Sequence, residues 1–447
     1  MSRPDTTAGH ETLAQALRPA AVDLARLSHE YGPLLRIVRM LIGVVPNCDP
    51  VLAIWPLGFR TYNLLVPNLL NLPFSVWGFG PPAVTLGLAL CAASRTAQCA
   101  YCTAHTCAFT LRRGSAPEKI GGVLTPAERA AVAVAEALAR IPCDLTAKDR
   151  QELSRHFSAA DAERIALGVA LMGFLNKFMD ATGIDLEEAS VDEVSAVLRP
   201  IGWTPGKHRV SAEQPADPEL RARPGGPDTL GTKLGILRHL PAAIRLERSW
   251  TRGIPSRWPA VGVYLKERTG HDFPLLARVR SRRAVRAIAT VLRDNLIESD
   301  SHLGLRLKHL AGLVYASAVG NEVLAGEARS MAVQSMAVQS TAVRASPSVD
   351  AETLEAIARF GAEEGELYGS GTSDAVARLA SLPGLDGRAA LALVLAKAVS
   401  PSPAMVPPSL IAKAAEALSP EAQVELVVWL SIQQMLHRLG SFHRLTF

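Results

Sequence analysis

The chain has 447 residues, a formal net charge of +5, and 48% hydrophobic residues of which few are aromatic. That length exceeds one ordinary core, so two domains are expected, and so small a charge excess gives no reason to expect nucleic acid. Ala, Leu and Val recur at helical spacing far more often than they alternate, which points to an all-α protein.

The N-terminal stretch MSRPDTTAGHETLAQALRP has no apolar run of the secretory type, so a cytoplasmic protein is expected. Helical patterns follow over 10–45, 83–113, 125–140, 146–157 and 159–182. No charged side chain occurs between Arg60 and Arg95. Pro67, Pro73, Pro81 and Pro82, with Asn63, Asn68 and Asn71, cut that segment into pieces too short to cross a membrane. Thr125, Pro126 and Glu128 form a capping box at the start of one helix, and Ser158 and Gly183 bracket another.

A Pro/Gly-rich stretch over 203–230 reads as a linker, which divides the chain into 1–200, a connector over 201–230, and 231–447. The second part resembles a worn copy of the first. LSPEAQVELVVWLSIQQMLHRL, from Leu418, falls without a gap on FSAADAERIALGVALMGFLNKF, from Phe157, 261 residues earlier. RAALALVLAKAV from Arg388 matches RAAVAVAEALAR from Arg129, and HLAGLVYASAVGNEVLAGEARSMA takes the place of the segment around Cys99. An internal duplication into two pseudo-symmetric copies is expected. The arginine-rich run RVRSRRAVR over 278–286 lacks stacking aromatics and reads as a helix face or intersubunit surface. The tandem repeat SMAVQSMAVQSTAV over 330–343 reads as a helix extension or loop.

All six cysteines lie in the first third of the chain. In a reducing compartment such a set is not a disulfide scaffold, so the stretch CAYCTAHTCAFTLRRG from Cys99 reads as catalytic or metal-binding before structural. If Thr96 caps its helix, Cys99 is the third residue, where free backbone N–H groups and the helix dipole favour a thiolate. Cys102 lies one turn on, close enough to form a disulfide with Cys99, and His105 lies a further turn on as a base or proton relay. Cys107 points about 80° away and reads as packing. A zinc site from Cys99, Cys102, His105 and Cys107 lacks the second separated ligand pair, so no metal is expected.

These residues resemble the AhpD-like alkylhydroperoxidase and carboxymuconolactone decarboxylase family. Cys99, Tyr101, Cys102, His105 and Gly114 supply its pattern, and the resemblance extends over roughly 80–190, including Asn176 and Lys177. It implies an all-helical AhpD-like bundle and a peroxidase in which one thiolate attacks a peroxide, the second condenses with the sulfenic acid, and an external dithiol or thiol carrier reduces the resulting disulfide. It implies no cofactor beyond that redox-active disulfide, a small-molecule peroxide as substrate, and a homo-oligomer, with neither nucleic acid nor membrane as partner. By family analogy Cys102 is the attacking thiol, whereas the helix dipole favours Cys99. Tyr101 and Asn176 are candidates for substrate contact.

Two departures stand out. Thr106 occupies the place of the family histidine, with His105 one residue earlier. The family glutamate belongs near Gly87, yet no Asp or Glu occurs between Asp49 and Glu118. The relay is then incomplete, completed from elsewhere, or not needed. A cysteine-independent lyase or isomerase and a non-catalytic helical binding protein are the alternative readings.

Overall fold

A computed structural model describes residues 11–339, 349–365 and 367–444. The fold is all-α. The described residues include one pair of two-residue strands, β1 (Leu186–Glu187) and β2 (Val210–Ser211), which run parallel. The end of the tandem repeat over 330–343 falls outside the described residues, and its earlier part continues the helix Glu322–Gln339.

Helix starts follow side-chain chemistry. Thr125 Oγ1 accepts from the Glu128 N–H at 3.3 Å while Glu128 Oε2 accepts from the Thr125 N–H at 2.9 Å, closing the capping box that opens Pro126–Ala139. Thr146 and Asp149 repeat the device for Ala147–His156. Ser158 caps Ala159–Thr182, and Gly183 ends that helix with a φ of 66°.

The long helix Ala159–Thr182 is apolar enough to cross a membrane by length and composition, but it is buried within the fold. It packs most extensively along the helix Pro420–Arg444. A Cβ on Gly173 would stand 2.9 Å from the carbonyl oxygen of Gln434, so only glycine permits this approach. Arg438 donates to the Val169 carbonyl oxygen at 3.2 Å across the same crossing. Buried apolar residues from both parts of the chain form one contiguous cluster.

Two local features differ from the sequence expectation. The pattern over 83–113 is two helices, Ala83–Thr96 and Ala100–Arg112, separated where Gln98 takes a φ of 54°. Thr96 therefore ends a helix instead of capping one, and Cys99 itself is the N-cap of the second. The stretch over 203–230 lies along the bundle: β2 pairs with β1, Trp203 donates to the Ala100 carbonyl oxygen at 3.1 Å, and Leu220 and His208 are buried. Part of the arginine-rich run is engaged within the fold, while Arg278, Arg280 and Arg282 stay exposed. Glu163 accepts from the backbone N–H groups of Arg280 and Ser281, and Arg283 donates to the Leu72 carbonyl oxygen at 2.9 Å.

Candidate redox site

The break at Gln98 positions the site. Because Cys99 is the N-cap residue of Ala100–Arg112, its Sγ accepts from the Cys102 backbone N–H at 3.4 Å, one of the four donors a helix start leaves open. Cys99 and Cys102 are both buried, and all six cysteines are free thiols.

His208 comes from the stretch that the sequence reads as a linker. Its Nδ1 pairs with the Ile184 carbonyl oxygen at 2.7 Å, which makes Nδ1 the donor and turns Nε2 toward the remaining neighbours. Burial pushes the Cys99 thiol up, but hydrogen bonding by the Cys102 thiol and the adjacent His208 imidazole outweigh it and bring Cys99 down to about 6. Burial alone would lower His208, and the neighbouring Cys99 instead raises it. Cys102 is driven well above the ordinary thiol range, first by burial and then by the Cys99 charge beside it. The two shifts run in opposite directions, Cys99 down and Cys102 up.

On the other side of the same helix is a carboxylate. Glu187, from β1, places Oε2 2.8 Å from His105 Nε2. Its Oε1 accepts from the Tyr101 hydroxyl at 2.8 Å and from the Asn47 N–H at 2.6 Å. Burial pushes the Glu187 carboxyl up, yet the His105 charge and hydrogen bond, with the Asn47 N–H, hold it below the ordinary carboxylate range. The rings of Tyr101 and His105 lie 4.4 Å apart.

Of the residues singled out in the sequence, Cys99 and Cys102 meet at the helix start, and Tyr101 and His105 meet at Glu187. Asn176 is placed differently: its Oδ1 accepts from Ser94 Oγ at 3.2 Å and its Nδ2 donates to the Ala93 carbonyl oxygen at 3.4 Å. Both ends of the amide are taken up in holding two helices together, so Asn176 faces no substrate space. Lys177 is likewise structural; its Nζ donates to the Val399, Ser400 and Pro401 carbonyl oxygens at the end of Gly387–Val399. Cys107 is buried packing, as its helical angle predicts.

Sequence reasoning missed Glu187 and His208. Neither sits in a motif, and only the parallel pairing of β1 with β2 carries both to the cysteine helix. A cleft of about 430 Å³ is walled by Gln98 and Ala100, which flank the buried Cys99, by Asp180 and His208, and by Tyr368 and Met405 from the second part; Cys99 is not itself a wall residue.

No protein-family model and no curated protein matches the chain. Among solved structures, the debrominase Bmp8 without ligand is 23% identical, with 40% of this chain and 96% of that chain covered at a TM-score of 0.35. A cysteine-to-alanine variant of the same debrominase in complex with 2,3,4-tribromopyrrole is 21% identical, with 45% and 100% covered, also at 0.35.

Proposed function

We propose that the chain is a thiol-dependent peroxidase that reduces hydroperoxides through Cys99 and Cys102. The observation that carries this reading is the placing of the two cysteines: Cys99 is the N-cap whose Sγ accepts from the Cys102 backbone N–H at 3.4 Å, with Cys102 one turn on and His208 beside them, a setting that lowers the Cys99 thiol. Cys99 attacks the terminal peroxide oxygen, the O–O bond breaks, and the alcohol leaves with a proton from His208. Cys99 is then a sulfenic acid. Cys102 gives up its proton and attacks that sulfur, forming the S–S bond as hydroxide leaves and is protonated to water. His105, one turn from Cys102 and fixed by Glu187, is the route for the Cys102 proton. An external dithiol reduces the disulfide and restores both thiols. Such chemistry belongs in a reducing compartment such as the cytoplasm.

The cysteine-free second part we read as a degenerate copy that completes the cleft wall. The helices Ala147–His156 and Pro408–Ala417, and the starts of Ala159–Thr182 and Pro420–Arg444, keep the 261-residue spacing of the sequence repeat.

The test is peroxide consumption with cumene hydroperoxide. Without reductant the wild type is expected to consume one equivalent per chain and lose two thiols; with dithiothreitol it turns over repeatedly. Cys99→Ser is expected to abolish consumption, and Cys102→Ser to stop at a sulfenic acid. A Cys99→Ser, Cys102→Ser double variant that turns over like the wild type would overturn the proposal.

A further inference from the structure

A second cleft, of about 240 Å³, is walled by both parts of the chain and shares no wall residue with the cleft that flanks Cys99. Its walls are largely apolar. Leu34 and Ile37 come from the helix Leu24–Ile42, Val66 from Pro56–Leu69, and Ile244 from Leu230–Trp250. Phe74 and Ile244 are exposed at its edge.

The helix Arg282–Asn295 adds Arg283 and Arg286 to the wall, three residues apart and therefore on one face. Arg283 is mostly committed within the fold: its Nε donates to Asn68 Oδ1 at 3.1 Å and a terminal nitrogen donates to the Leu72 carbonyl oxygen at 2.9 Å. Arg286 is not. Among the described residues its guanidinium makes no hydrogen bond or ion pair, and its Nε is buried without a partner. A guanidinium N–H held out of water and unpaired is costly, so an acceptor placed there is a gain that the fold leaves unrealised. Glu247 and Arg248 complete the charges on the wall. Glu247 acts on the charge of Arg283, but among the described residues no ion pair links it to either arginine, and three arginines stand against that one carboxylate.

We infer that this cleft binds a medium-chain fatty acid, with its carboxylate on Arg286 and its chain along Leu34, Ile37, Val66 and Ile244. The two oxygens of a carboxylate match the guanidinium fork, and the apolar walls take the chain out of water. The volume lies below the roughly 300–1,000 Å³ of drug-sized pockets, which suits one short chain and not the two chains of a membrane lipid. Neither cysteine of the redox pair lines the cleft, so the acid is a separate ligand and not the peroxide substrate.

The test is isothermal titration calorimetry of the full chain with octanoate, beside octanol as the same chain without the charge. One saturable site per chain is expected, with octanoate bound roughly tenfold tighter than octanol. Arg286→Gln, with an unchanged thermal melt, is expected to weaken octanoate by about tenfold and leave octanol as it was. Ile244→Asn, at the edge, is expected to weaken both. Absence of a saturable site in the wild type, equal affinity for octanoate and octanol, or an Arg286→Gln variant that binds octanoate like the wild type would overturn the inference. So would a dimer in sedimentation velocity that Ile244→Asn dissociates, because a second copy of the chain would then cover the cleft. If Arg286→Gln lowers the melt, the comparison of acid with alcohol on the wild type decides alone.

Discussion

Glu187 and His105, 82 residues apart in the chain, meet through a 2.8 Å contact on the buried face of the cysteine helix. Glu187 reaches that helix from β1. A Cβ on Gly87 would lie 2.5 Å from Thr110 Oγ1, so Ala83–Thr96 and Ala100–Arg112 pass closely there. Glu187→Gln keeps an acceptor for Asn47 and Tyr101 but removes the charge beside His105. Peroxide-dependent kcat/KM is expected to fall roughly 10- to 100-fold with the fold intact. Retention of wild-type kcat/KM across the pH range would show that Glu187 has no part in proton transfer.

Thiolate formation at Cys99 sets a pH window. Because the fold brings this thiol from 9.0 down to about 6, its contribution to stability is fully present above the unfolded value and is lost as pH falls through about 6. Iodoacetamide alkylation of Cys99, followed by mass spectrometry, is expected to show a midpoint near that pH. In His208→Asn the midpoint is expected to move up by roughly 1–2 units, because the cation beside the thiolate is gone. An unchanged midpoint would remove His208 from the account.

Asp49 carries the opposite sign. Burial, reinforced by the Glu187 charge, pushes its carboxyl from 3.8 up to about 8. Between those values the folded protein holds a proton that the unfolded chain has released, so stability falls as pH rises through that window. Asp49→Asn, neutral at every pH, is expected to raise Tm at pH 8 and to flatten the decline between pH 5 and pH 8. A slope equal to that of the wild type would place the effect elsewhere.

The crossing at Gly173 is a matter of space. Gly173→Ala puts a methyl against the Gln434 backbone, which neither long helix can yield without moving the other. A loss of about 1–3 kcal/mol in urea unfolding is expected, the usual cost of overpacking. Gly326→Ala is the control: a Cβ there meets open space, and the substitution is expected to be neutral or slightly stabilising.

Much of the helical framework is legible in the chain. The capping residues Thr125, Thr146 and Ser158 and the terminal Gly183 mark their helices because each acts through its own local backbone. The two-helix break before Cys99 is less visible, since a residue such as Gln98 in a left-handed conformation leaves no signature. The cysteines are read from spacing, and so is His105, because they share one helix. Glu187 and His208 escape because their roles depend on long-range strand pairing. Asn176 misleads because a polar residue inside a buried helix has the same appearance whether it faces substrate or holds a neighbouring helix.

The most direct measurement is disulfide mapping of the wild type after one equivalent of cumene hydroperoxide, quenched within the first turnover. The account predicts a Cys99–Cys102 linkage with Cys91, Cys107 and Cys143 still alkylatable after denaturation. Cys99 and Cys102 both recovered as free thiols, in a protein that remains folded while the peroxide is untouched, would contradict it.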